Sequence, residues 1–228
     1  MPRPVRVLLA LTGSVAAIKV TQLLAELRRE EGKYDVRVMA TSAAMHFIER
    51  ADDGRPGDQI LQDSDEWSAW NGRGDDVVHI ELRSWADILL IGTLRDWARH
   101  VPEPRADDHP RVPTAPLGAN TLAKAVNGMC DNLVTCVLRA WDVSDASRPI
   151  IAAPAMNTMM YAHPLTAEQL QRAREVLHMH IVDPIVKTLA CGDVGVGAMA
   201  ALPTIVDAVD RAAANLVAPR LSREAESA

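Results

Sequence analysis

The chain has 228 residues, 48% of them hydrophobic, enough for one sizeable core and, by length, for one domain. A net charge of −6 and a pI near 5.6 provide no concentrated basic face, which argues against nucleic acid or an anionic membrane and leaves a small molecule or another protein as partner. Three cysteines make no disulfide framework, "MPRPVRVLLALTG" lacks the form of a signal peptide, and no run approaches the roughly 20 apolar residues of a membrane span, so the chain reads as soluble and cytoplasmic.

Runs of strand length alternate with helix-period stretches. "VRVLLAL" (5–11) reads as a buried strand, followed by "SVAAIKVTQLLAELRRE", in which Val15, Ile18, Leu23 and Leu27 share one helical face. "DVRVMA" precedes "SAAMHFIER", and His79 lies in "VVHIEL", a short strand-like run ahead of the strand "ADILLI" (86–91). Segment 92–114 then breaks the rhythm with four prolines and eight charged residues where a βα loop has about 2 to 6 residues. It reads as a surface loop, although its composition is also that of an in-frame retained intron. "ANTLAKAVNG" resumes the helical pattern, and Cys130 and Cys136 fall in a mostly helical stretch, on different faces. "RPIIAAP" is a further strand, and "TAEQLQRAREVL" opens with a Thr166-x-x-Gln169 capping box. His178 and His180 alternate on one strand face, too few ligands for zinc. The expected organisation is one domain over 1–218 with an insertion at 92–114 and a frayed tail at 219–228. Repeated βα alternation implies a mostly parallel sheet with helices on both faces, and a ligand beyond the carboxyl ends of the strands.

Few motifs carry chemistry alone. In "ALTGSVAAIK", Gly13 permits a tight turn and Ser14 caps the next helix, whose N-terminus can hold an anion, but neither a P-loop nor G-x-G-x-x-G is present. Where a dinucleotide site wants an acidic residue after the second strand there is "VMATS", so Thr41 and Ser42 suit a phosphate and a mononucleotide. His79 is either a structural histidine or an acid/base group. In "LACGDVGVGAMA", Cys191 followed by Gly192, Gly195 and Gly197 suggests a flap carrying a thiol, or else an inert half-buried cysteine. Asn157 stands among Met156, Met159 and Met160 where a strand gives way to a loop.

Together, "GSVAAIK", "DEWSAWNGRGDDVVHIELRSWADILLI", "APLGANTLAKAVNGMCDNLVTCVLRAWD", "APAMNTMMYAHPLT" and "LACGDVGVGAMA" resemble the flavin-containing cysteine decarboxylases, and within them the monofunctional phosphopantothenoylcysteine decarboxylases of coenzyme A biosynthesis. The resemblance spans most of residues 5–210. It implies a Rossmann-like, three-layer αβα flavoprotein that binds FMN and forms a homotrimer with active sites shared between subunits. By matching position, Gly13, Ser14, Val15, Thr41 and Ser42 would hold the FMN phosphate region; Gly118, Ala119, Asn120, Thr121 and Ala155 would line the flavin. His79 would be the active-site histidine, Asn157 would orient the substrate carboxylate, and Cys191 would donate the proton, with Met160, Lys187 and Ala190 on the substrate. Because the substrate amine is acylated, no imine to PLP can form and another electron sink is needed. In the implied chemistry the thiol is oxidised toward a thioaldehyde, CO2 leaves, and the enethiol is reduced again, with no net redox change.

Departures from the family pattern are Gly118 in place of the usual serine, Tyr161 in place of tryptophan, Ala44 where serine is common, Thr188 where a basic residue is common, and the segment 92–114. Two alternatives stand beside the coenzyme A enzyme: a regulatory subunit of a protein phosphatase, as in some fungal relatives, and a peptidyl-cysteine decarboxylase. Possession of the His, Asn and Cys trio, a short mixed-charge tail and the flap composition favour the first reading.

Overall fold

The computed structural model describes residues 3–13, 20–49, 59–70, 72–92, 117–188, 194–198, 200 and 202–226. Strands β1 (Val5–Leu11), β2 (Tyr34–Ala40), β3 (Ile60–Leu61), β4 (Ile88–Ile91), β5 (Ile150–Ala152) and β6 (His180–Ile181) form a sheet in the order β3-β2-β1-β4-β5-β6. All of its pairings are parallel. This is the doubly wound order, with the switch point between β1 and β4.

Both faces of the sheet are buried, which is why its central strands are continuous apolar runs. On β1, Val5, Val7, Leu9 and Leu11 face one core with α1 (Val20–Leu27), α2 (Ser42–Ile48) and α9 (Leu202–Glu226). Leu8 and Ala10 face the other, with α4 (Val78–Trp85), α5 (Ala119–Val126), α6 (Leu133–Ala140) and α8 (Pro164–Glu175). The expected three-layer αβα architecture is the observed one. Leu23 and Leu27 of α1 are buried together as their spacing predicts, while Val15 and Ile18 lie outside the described residues.

Several local expectations change. The run around His79 is the helix α4, not a strand: Val78 and Leu82, four apart, are buried, whereas Val77 and Ile80 are exposed. A helical period therefore outweighs the β-branched composition. Helix α8 starts before the predicted capping box, at Pro164, with His163 as N-cap accepting from Leu165 N at 3.2 Å. Proline at the first position supplies a preset φ and lacks the N–H a helix start leaves unpaired. Thr166 is thus inside the helix, donating from Oγ1 to Met160 O at 2.6 Å.

Cys130 lies in the turn between α5 and α6, and the Cys136 thiol, on α6, donates to the Cys130 carbonyl at 3.5 Å. Both are free thiols. His178 sits in a left-handed turn at φ 48° ahead of β6, so it does not alternate with His180 on a strand. The backbone over 219–226, read from the sequence as a frayed tail, is helical as the end of α9.

The chain leaves and rejoins the sheet in one line. Ala153 N donates to Ile91 O, and Leu117 N donates to Ala153 O, both at 3.0 Å. In a parallel ladder these are the bonds to the residues just before and just after Ala153's partner. Leu117 accordingly pairs with Pro154, two steps beyond the Ile91–Ala152 pair, and takes the place that residue 93 would hold in an unbroken strand. Residues 93–116 lie outside the described residues.

Candidate functional site

The crevice at the β1/β4 switch point is built by three chain segments. β1 ends in Thr12 and Gly13; Thr41 and Ser42 follow β2; Gly118 to Thr121 form the first turn of α5. A Cβ at Gly13 would stand 2.5 Å from the Ala43 Cβ, so only glycine lets the turn after β1 lie against α2. Thr12, buried at the end of β1, accepts from Gly118 N at 3.2 Å and ties α5 to the strand. Gly118, the N-cap of α5, has no side chain to cap the helix, so among the described residues its first turn carries no side-chain cap, beside the positive end of the helix dipole. Asn120 is exposed there and Thr121 is buried.

The hydroxyls expected to meet a phosphate have protein partners as well. Thr41 caps α2 by accepting from Ala44 N at 3.2 Å, and Ser42 donates to Asp63 Oδ2 at 3.4 Å. Asp63, on α3 (Asp63–Ala69), accepts from Leu133 N at 2.7 Å through its other oxygen and so anchors the start of α6. Ser14 and Val15 lie outside the described residues.

Asn157 follows β5 and caps the single turn α7 (Thr158–Tyr161), its Oδ1 accepting from Met159 N at 2.8 Å. The carbonyl end of the side chain is thereby committed to the backbone, which leaves the amide nitrogen as the end that donates. Ala155 is buried just before it. Thr158 Oγ1 is buried with no hydrogen-bond partner among the described residues, an orphan that a ligand beside Asn157 would satisfy. Met159 and Met160 are exposed on the same turn.

Helix α7 lies against β8 (Val194–Ala198), which pairs antiparallel with β7 (Ile185–Thr188) in a two-stranded ribbon. Lys187 is on β7; Ala190 and Cys191, between the two strands in sequence, lie outside the described residues. The fold therefore brings Asn157, Met160 and the flap ribbon to one place.

His79 is in the first turn of α4. Among the described residues its polar contacts are to Glu66 on α3: Nδ1 meets Oε1, and its backbone N–H donates to Oε2 at 3.2 Å. Cys136, nearby on α6, has its thiol pushed up by burial and then by the Glu66 carboxylate, both of which favour the protonated form. Thr12, Asp63, Glu66 and Thr158 were not singled out by the sequence. Only the local string "DSDEW" hinted at the acidic pair, and it resembles an ordinary solvated turn.

The Flavoprotein family model matches residues 1–95 and 98–214. The chain is 46% identical over 213 residues to a phosphopantothenoylcysteine decarboxylase of Oryza sativa subsp. japonica, covering 93% of this chain and 82% of the relative. The chain belongs to this flavoprotein family of phosphopantothenoylcysteine decarboxylases. Among solved structures, it is similar to a cysteine-to-serine mutant of PPC decarboxylase complexed with pantothenoylaminoethenethiol, with a TM-score of 0.74 and 41% identity over 91% of this chain and 97% of the other. The FMN-binding protein AtHal3 superposes with a TM-score of 0.69 at 40% identity, covering 91% of this chain and 96% of that one. As a family member the chain is a flavoprotein with FMN as its cofactor, and its fold is theirs. The glycine-only contact at Gly13, the open first turn of α5 and the Thr158 orphan fit such a ligand.

Proposed function

We propose that this chain catalyses the FMN-dependent decarboxylation of 4′-phospho-N-pantothenoylcysteine to 4′-phosphopantetheine in coenzyme A biosynthesis. The observation that carries it is the match of 91% of the chain to a PPC decarboxylase complexed with a pantothenoyl compound.

Bound FMN would supply a reversible two-electron sink for the substrate thiol. Gly13, Ser14, Val15, Thr41 and Ser42 hold its phosphate region, while Gly118, Ala119, Asn120, Thr121 and Ala155 line its ring. Asn157 donates from its amide to the substrate carboxylate without neutralising it as a cation would. Met156 and Met160 form an apolar wall that strips water from that carboxylate, which favours loss of CO2. Lys187 and Ala190 complete the substrate contacts. Cys191 would protonate the substrate carbon, and His79 would position the substrate or move a proton at its ring nitrogen.

Shared sites in a homotrimer are part of this reading. Their support is the apolar flank around His79, where Trp67 and Trp70 of the α3 region and Ile80 of α4 are 78%, 54% and 45% exposed. The free thiols Cys130 and Cys136 suit a reducing cytoplasm. Among the described residues no helix is long and apolar enough to cross a membrane.

The test is the visible spectrum of the purified protein, followed by CO2 release from the substrate on the same sample. A flavin spectrum with turnover is expected. Flavin without turnover would favour the regulatory or peptidyl-cysteine readings, and a protein that stays colourless with added FMN would overturn the cofactor site of this chain.

A further inference from the structure

We propose that Glu66 is a positioning residue for His79, selecting the tautomer and ring orientation with which the histidine meets substrate; this rests on the role given to His79 above. A carboxylate is an acceptor only, so the imidazole nitrogen facing Glu66 Oε1, Nδ1, must carry the proton. In the neutral ring Nε2 is then left with its lone pair. It has no hydrogen-bond partner among the described residues, so it is the atom available to a ligand.

The second carboxylate oxygen does separate work. The N-cap of α4 is Val77, which has no side-chain acceptor, and Glu66 Oε2 receives His79 N–H in its stead. One side chain from α3 therefore holds both the backbone and the ring of His79, leaving the imidazole little rotational freedom. The pair is partly shielded from water, with 13% of the Glu66 side chain and 25% of that of His79 exposed. Its bonds are correspondingly less subject to competition from solvent.

Helix α3 is itself fixed at its start. Asp65 accepts from Gln62 N at 2.7 Å, and Asp63 bridges Ser42 of the cofactor crevice to the first amide of α6. The three acids of this turn thus have three destinations: cofactor-side loop, own helix start, and histidine. A string that looks like a solvated acidic turn is a rigid bracket between the crevice and His79.

The experiment uses the FMN-loaded protein labelled with ¹⁵N-histidine, in which two-bond ¹H–¹⁵N correlation spectra at alkaline pH report the tautomer of His79, assigned by its loss in His79→Asn. The parent protein should show protonated Nδ1. Glu66→Gln, whose amide can donate to Nδ1 while its oxygen caps α4, should move the population toward protonated Nε2 and lower kcat at least about tenfold, less than the roughly hundredfold or more that loss of an acid/base group itself costs because the histidine remains, with KM and flavin content kept. Glu66→Asp, a shortened carboxylate, should recover part of both signals.

Protonated Nε2 in the parent protein would overturn the proposal whether or not any variant folds. So would an unchanged kcat in Glu66→Gln when His79→Asn is inactive. Full turnover in His79→Asn would instead remove the role of His79, while the spectrum still decides which tautomer Glu66 selects.

Discussion

At the scale of single residues, the site works by giving one side chain two tasks. Asn157 caps α7 through Oδ1 and is assigned the substrate carboxylate through its amide. The two tasks can be separated by substitution. Asn157→Asp keeps an acceptor for Met159 N, so α7 and bound flavin persist, but it replaces the donor with a charge that repels the carboxylate. We expect kcat/KM to fall by more than about a hundredfold, given that a hydrogen bond to a charged group contributes about 1.5–3 kcal/mol and repulsion adds to its loss. Steady-state CO2 release with flavin absorbance as the folding control measures it. If Asp retained parental kcat/KM, the carboxylate would be held elsewhere. Nothing in the string "PAMNTMM" disclosed the capping role, because whether a helical turn follows Asn157 depends on α7 packing on β8, a contact remote in sequence.

At the scale of elements, the decisive observation is the interrupted line of β4. Ile91 and Leu117 occupy register positions two apart, and Gly92, with φ 135° and N–H donated to Ala10 O at 3.3 Å, fills the position between. Deleting 93–116 leaves Gly92 as that one intervening residue. The shortened chain should fold with unchanged thermal stability within about 1 kcal/mol and retain the flavin spectrum, since the ladder bonds of Ala153 connect residues that are all kept; each is worth about 1 kcal/mol. Loss of flavin on deletion, at intact circular dichroism, would make the segment part of the cofactor site. An insertion at 92–114 was expected from prolines and charge, and beyond Gly92 it lies outside the described residues. The single-register geometry was not legible, because it is a property of pairing with β5. The error at His79 has the same origin: β-branched letters favour a strand, but burial against the second core selects the faces containing Val78 and Leu82.

At the scale of the whole molecule, two long-range features make predictions. The exposed Trp67 on α3, Trp70 just after it and Ile80 on α4 lie at the two helices joined by Glu66 and His79. If this flank is covered in a trimer, Ile80→Glu should yield a lighter species by light scattering, with turnover falling in parallel; a parental mass would place the interface elsewhere. The other feature closes the chain, as Tyr34 at the start of β2 donates from its hydroxyl to Asp210 on α9, which also meets Lys33 at 3.0 Å. Burial alone would raise the Asp210 carboxyl, but the Tyr34 and Lys33 hydrogen bonds outweigh it and hold the group below its ordinary value. A lowered folded pKa contributes stability above the ordinary carboxyl value, about 3.9, that is lost as pH falls through the folded one. Asp210→Asn should therefore lower the melting temperature at pH 7 and differ less from the parent at pH 3; an equal deficit at both would show that packing, not charge, is at stake.

By itself the sequence determined the αβα class, the buried parallel strands and the family. Those depend on local periodicity and on short strings whose letters are constrained one by one, and both survive without coordinates. Only the tertiary structure decided which acids hold which amides, that Glu66 clamps His79, and that Ile91 and Leu117 stand two register positions apart along β5. These are relations between residues 13 to 106 apart in the chain, and they arise when the sheet brings helix starts together at its carboxyl edge.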